Sequence, residues 1–121
     1  QARTAVFGER AMRLVPAELR TRFFTQAKDS LTWQAKPALT KLTSFQHHNL
    51  MNPCRQKEFD LVFLKNVLIY FDTDSKAKVM ANILAAIAPG GLLVAGASEG
   101  VSDMLKGCQR IESWLYRKPT K

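Results

Sequence analysis

The chain has 121 residues, enough for one modest globular domain and too few for two. A hydrophobic content of 46% excludes disordered and collagen-like classes, and no apolar run approaches the roughly 18 residues of a membrane span. Eighteen Lys and Arg stand against ten Asp and Glu, a formal charge of +8, and the two cysteines, Cys54 and Cys108, are too few for a disulfide framework.

Both cysteines are expected to be reduced, as in a cytosolic protein. The charge is lopsided: residues 1–58 carry 10 basic and 4 acidic side chains, residues 59–121 carry 8 and 6. Arg3, Arg10, Arg13, Arg20, Arg22, Lys28, Lys36 and Lys41 are dispersed, with no zinc spacing and no RNA-binding aromatic signature beside them. A solvated face on surface helices is the simplest account of that pattern, and neither nucleic-acid binding nor membrane insertion is expected.

In chain order, QARTAVFGERAMR has no signal-peptide layout, begins without Met and reads as part of a helix, as though cut from a longer protein. Pro16 suits the first turn of a helix continuing through PAELRTRFFTQ, with Leu19 and Phe23 on one face and Arg20 and Arg22 turned away. LTWQA (31–35) alternates like a short strand stopped by Pro37, and residues 42–48 have strand character before the Asn52-Pro53 turn. The run 59–64, apolar except for Asp60, reads as a strand covered on both faces. A helix is predicted over 73–88, with Asp72 or Thr73 as N-cap and Val79, Ile83 and Ile87 on its buried stripe. Ala88-Pro89-Gly90-Gly91 ends it, and 91–97 forms a second apolar strand, completing a right-handed parallel crossover. Residues 108–112 and 114–118 read as an antiparallel edge hairpin. The fold class is α/β with a mixed sheet.

Open parallel sheets bind ligands beyond the carboxyl ends of their strands. Three such ends carry polar groups: Lys65-Asn66 before Tyr70, Ser98-Glu99, and His47-His48-Asn49. On pattern alone Tyr70 reads as core and Asn66 as a turn cap. His47 and His48 would face opposite sides of a strand, so no metal site is expected, and Glu99 has no second carboxylate at acid–base spacing.

The combination FDLVFLKNVLIYFD, helix, APGGLLVAGASE resembles the carboxyl-terminal part of the CheR-type chemoreceptor glutamate methyltransferases. GERAMRLVPAELRTRFF, LTWQAKPAL and FQHHNL have family counterparts in the same order, so the resemblance covers essentially the whole chain. It implies a Rossmann-like class I methyltransferase with a mixed, mainly parallel sheet and S-adenosyl-L-methionine as cofactor, released as S-adenosyl-L-homocysteine. It also implies a cytoplasmic enzyme that esterifies glutamates on the helical cytoplasmic bundle of chemoreceptors.

By position, Asn49 and Leu50 match the pair on the adenine side of the cofactor pocket, and Leu64 and Lys65 match the pair on its other side. Tyr70 matches the tyrosine near the transferring methyl; Tyr70 and Lys65 are thus the candidate catalytic residues. Lys65 replaces the family's usual arginine and so loses the planar fork that grips a carboxylate twice; Ala97 replaces the usual histidine. Residues 31–41 resemble the family's small β-subdomain, which in some members docks a receptor tail peptide.

The resemblance further implies that the first two strands of the sheet and an amino-terminal helical domain precede Gln1. The expectations are then an active parent enzyme, a 121-residue piece inactive alone, and self-association through exposed sheet edges. The competing expectation is a non-catalytic binding or self-associating module of the same ancestry.

Overall fold

In the computed structural model, which describes residues 4–29, 31–96 and 99–120, the strand–helix–strand pattern of the second half forms a parallel crossover. The chain divides into two compact units, Gln1–His47 and His48–Lys121.

The second unit holds a four-stranded mixed sheet in the order β4-β5-β7-β6, with β4 Phe59–Leu64, β5 Ile87–Ala95, β6 Gln109–Glu112 and β7 Leu115–Arg117. β4 and β5 run parallel, and β7 is antiparallel to both β5 and β6. Between β4 and β5 lies helix α4, Thr73–Ala86. The Asp72 carboxylate accepts a hydrogen bond from the Ser75 backbone N–H at 2.7 Å, satisfying one orphan donor of its first turn. Val79, Met80 and Ile83 of α4 pack with Leu64, Ile87, Leu93 and Tyr116 to form the core.

The helix stops at Ala86, short of the predicted residue 88, because Ile87 already has extended backbone. Pro89-Gly90-Gly91 then interrupts pairing inside β5 and does not precede it: Phe59 pairs with Ile87, whereas Leu61 pairs with Leu92. Gly90 adopts φ +80°, and a Cβ on Gly91 would lie 2.6 Å from an Ile87 methyl and 3.0 Å from the Phe59 carbonyl oxygen. Lys118 locks this corner, its Nζ donating to the Leu84 and Ile87 carbonyls at 2.7 Å each.

β4 differs from its prediction. It is the edge of its sheet, and Phe59, Leu61 and Phe63 are exposed, while Leu64 is buried. Covering one face with α4 and one edge with β5 leaves the rest of an apolar strand in water.

The first unit carries a small antiparallel sheet in the order β1-β3-β2, with β1 Val6–Gly8, β2 Phe24–Gln26 and β3 Thr32–Ala35. The predicted opening helix reduces to α1, Glu9–Met12, after β1. Helix α2, Ala17–Phe23, also ends early, since Phe24 turns extended to pair with Ala35. Phe7 and Phe24 meet edge to face with ring centroids 6.1 Å apart. Arg20 does not turn away as its helix position suggested. Its guanidinium donates to the Met12 carbonyl and lies over the Trp33 ring at 5.1 Å, an attraction that outweighs full hydration. A one-turn helix α3, Pro37–Thr40, closes the unit's regular structure. The predicted 42–48 strand is absent: residues 43–49 have neither strand nor helix and are exposed, so strand character in the sequence did not suffice to set a ladder.

Candidate functional site

The parallel pairing of β4 with β5 brings both carboxyl ends to one side of the sheet, and the Gly96 N–H donates to the Leu64 carbonyl at 3.3 Å across them. Beyond Leu64 the chain reverses through Asn66, a non-glycine residue in the left-handed region at φ +59°. A single 3₁₀ turn, Leu68–Tyr70, leads on to the α4 cap. Leu68 is fully buried and anchors the turn, whereas the Tyr70 side chain is 92% exposed. Lys65 is exposed as well. The two candidate catalytic residues are therefore both exposed, Lys65 directly after β4 and Tyr70 at the end of the 3₁₀ turn.

An apolar cleft of about 150 Å³ flanks β4 and α4, lined by Leu50, Phe59, Val62, Leu64, Ile83 and Ala86, with His48, Asn52, Cys54 and Asn82 among its other walls. Leu50 and Leu64, assigned to opposite sides of a cofactor pocket, thus line the same cleft. Asn82 donates its side-chain N–H to the Leu50 carbonyl at 3.1 Å and ties that loop to the helix. Asn49, the neighbour of Leu50, does not line the cleft. Its carboxamide oxygen accepts from the Met51 N–H at 3.0 Å, an Asx turn that sets the backbone carrying Leu50. Lys65 and Tyr70 are not cleft residues either.

Three contributors escaped sequence reasoning. Asn82 sits between Met80 and Ile83 on a helix whose buried stripe needs no amide there, and that polar interruption was the available signal. Cys54 carries no distinguishing pattern. Glu99 was read as a strand-end polar group without an acid–base partner, not as a backbone acceptor, yet it is completely buried and its carboxylate accepts from the N–H groups of Val67 and Leu68. Ala97 and Ser98 lie outside the described residues. Among the described residues, no group of three or more His, Cys, Asp or Glu can hold a metal ion, and no helix is long and apolar enough to cross a membrane.

The cleft suits one flat heteroaromatic ring held between aliphatic side chains with amide and imidazole groups at its rim. It is smaller than the roughly 300–1,000 Å³ of sites that enclose a whole cofactor. Leu50, Val62 and Leu64 form its apolar walls.

Known proteins share much of this sequence. The family model described as CheR methyltransferase, SAM binding domain, matches residues 1–115. Chemotaxis protein methyltransferase 1 of Vibrio cholerae is 39% identical over 88 residues, which cover 72% of this chain and 32% of that protein. Chemotaxis protein methyltransferase 1 of Pseudomonas aeruginosa is 35% identical over 92 residues, 75% of this chain and 33% of that protein. The chemotaxis protein methyltransferase of Listeria monocytogenes is 32% identical over 118 residues, 94% of this chain and 44% of that protein. The chain thus spans about a third to under half of the length of these relatives. With its α/β fold and mixed sheet, the chain belongs to the CheR methyltransferase family, whose cofactor is S-adenosylmethionine, and corresponds to sequence of its SAM-binding domain.

Proposed function

We propose that this chain supplies one wall of the S-adenosylmethionine site and the substrate-facing turn of a cytoplasmic protein-glutamate O-methyltransferase that acts on the helical bundle of chemoreceptors. The observation that carries the reading is the joint placement of the Leu50–Leu64 cleft and the Lys65–Tyr70 turn around the carboxyl end of β4. When bound, the cofactor supplies an electrophilic methyl on a sulfonium.

A glutamate carboxylate is already a competent nucleophile, so the chain's residues have to orient it and exclude water, without deprotonating it. Lys65 provides a cation for the incoming carboxylate, as a point charge in place of a two-pronged guanidinium. The Tyr70 hydroxyl, projecting from the same turn, orients the carboxylate oxygen that reacts. Leu50 and Leu64 hold the adenine, and Asn49 sets the loop that presents Leu50. The excess of basic over acidic residues in the first half suits an acidic helical bundle.

The test is methyl transfer from labelled S-adenosylmethionine to a receptor cytoplasmic bundle by the parent enzyme. Label on glutamate that is released by base, as an ester must be, is the expected result; label on another residue type, or none, overturns the reading. The 121-residue chain alone is expected to bind S-adenosylhomocysteine weakly, because its cleft encloses only part of such a ligand. Micromolar affinity by isothermal titration would contradict that expectation.

A further inference from the structure

Glu99 has no exposed surface, although an ionised carboxylate is costly to remove from water without partners. Its partners are backbone: one oxygen accepts from the Val67 N–H at 3.2 Å and the other from the Leu68 N–H at 2.6 Å. These residues lie 32 and 31 positions earlier in the chain, directly after the left-handed Asn66. The Glu99 N–H donates to the Gly96 carbonyl at 3.1 Å, and the Gly96 N–H donates to the Leu64 carbonyl, so the same short segment grips both ends of the reversal.

The reversal needs such a grip. A single 3₁₀ turn has no stability of its own, and Lys65 before it and Tyr70 at its end are exposed. The buried contacts of the turn itself come from Leu68.

We infer that Glu99 is a positioning residue, a two-oxygen clamp that fixes the turn after β4 and thereby holds Lys65 and Tyr70 at the carboxyl end of the parallel strands. That consequence for catalysis rests on the function proposed above; the clamp does not. The carboxylate gives each N–H a charged acceptor, which the single carbonyl oxygen of an amide cannot do for both. Glu99 touches no reacting group and is not itself an acid or base.

The experiment is backbone amide exchange and Tyr70 ring chemical shift, measured by NMR on the full 121-residue chain as wild type, Glu99→Gln and Glu99→Ala. Glu99→Ala is expected to speed exchange at Val67 and Leu68 by roughly ten- to hundredfold, the range a hydrogen bond to a charged group implies. It should also move the Tyr70 ring signals while leaving exchange at Val79 and Met80 in α4 unchanged. Glu99→Gln, which keeps one accepting oxygen, should protect one of the two amides and shift Tyr70 less. Unchanged exchange at Val67 and Leu68, or an unchanged Tyr70 signal, overturns the clamp. If Glu99→Ala fails to fold, Glu99→Gln alone decides, through selective exposure of one amide or its absence. Faster exchange spread equally through α4 would reduce Glu99 to a general fold residue and also overturns the clamp. None of these readouts requires methyl transfer, so a clamp without activity refutes only the proposed function, and activity without a clamp refutes only this inference.

Discussion

β4 and β5 are neighbouring parallel strands of similar apolar composition, yet they live in different surroundings. β5 lies between β4 and β7 with Leu93, Val94 and Ala95 buried, whereas β4 is an edge with Phe59, Leu61 and Phe63 in water. An apolar run reports that a strand is suited to burial. Topology decides how many of its sides are covered. The side of β4 that is covered meets α4 and builds the Leu64 end of the cleft; the uncovered side is an apolar edge of the kind that proteins pair or shield.

The sharpest way to break this comparison is truncation of one residue on each strand. Leu93→Ala, at a position 1% exposed, is expected to cost about 2–5 kcal/mol in urea unfolding of the chain. Phe63→Ala, at a position 68% exposed, is expected to cost only about 0.5 kcal/mol. Equal losses would mean that β4 is covered in solution. Next in size is self-association: sedimentation of the chain at high concentration should reveal oligomers that Phe63→Lys disperses, since a charge on an edge strand opposes pairing. A wild-type chain that stays monomeric contradicts this. The smallest effect concerns the cap between the two strands. Hydrogen bonds from the Ser75 backbone and side chain hold the Asp72 carboxyl below its ordinary value, so its contribution is complete above the unfolded carboxylate pKa. That contribution is lost as pH falls through the lowered folded value. Asp72→Asn should cap at neutral pH and abolish this acid-side loss, read from the unfolding midpoint as pH is lowered; an unchanged pH profile would exclude the cap as its source.

How much was legible in the sequence differs between the same two regions. The crossover β4-α4-β5 and the terminal hairpin were readable, because apolar runs, an Asp N-cap and a helical stripe are local signals that packing reinforced. The exact corner was not, since Pro89-Gly90-Gly91 suits a turn before a strand as well as an interruption within one. The 42–48 segment shows the opposite failure: its strand character suggested a strand, but a strand needs a partner that no local pattern can promise. Arg20 was misplaced for a related reason, as its attraction to Trp33 and the Met12 carbonyl depends on contacts distant in sequence.

At the candidate site, the resemblance named Leu50 and Leu64, which line one cleft, and Lys65 and Tyr70, which lie exposed in the segment after β4. Beside Leu50, the Asn49 carboxamide oxygen accepts from the Met51 N–H, a backbone contact that side-chain spacing does not reveal. Glu99 was legible as a polar strand end but not as an acceptor for two backbone N–H groups, since main-chain partners leave no trace in side-chain spacing.

On the proposed function, the exposed segment after β4 serves the reaction and the cleft beside it serves the cofactor. The most direct measurement compares turnover with S-adenosylhomocysteine affinity in the parent enzyme carrying Tyr70→Phe. A fall in turnover with affinity unchanged is predicted. Equal losses in both, or none in turnover, would contradict it and leave Tyr70 without a role in the reaction.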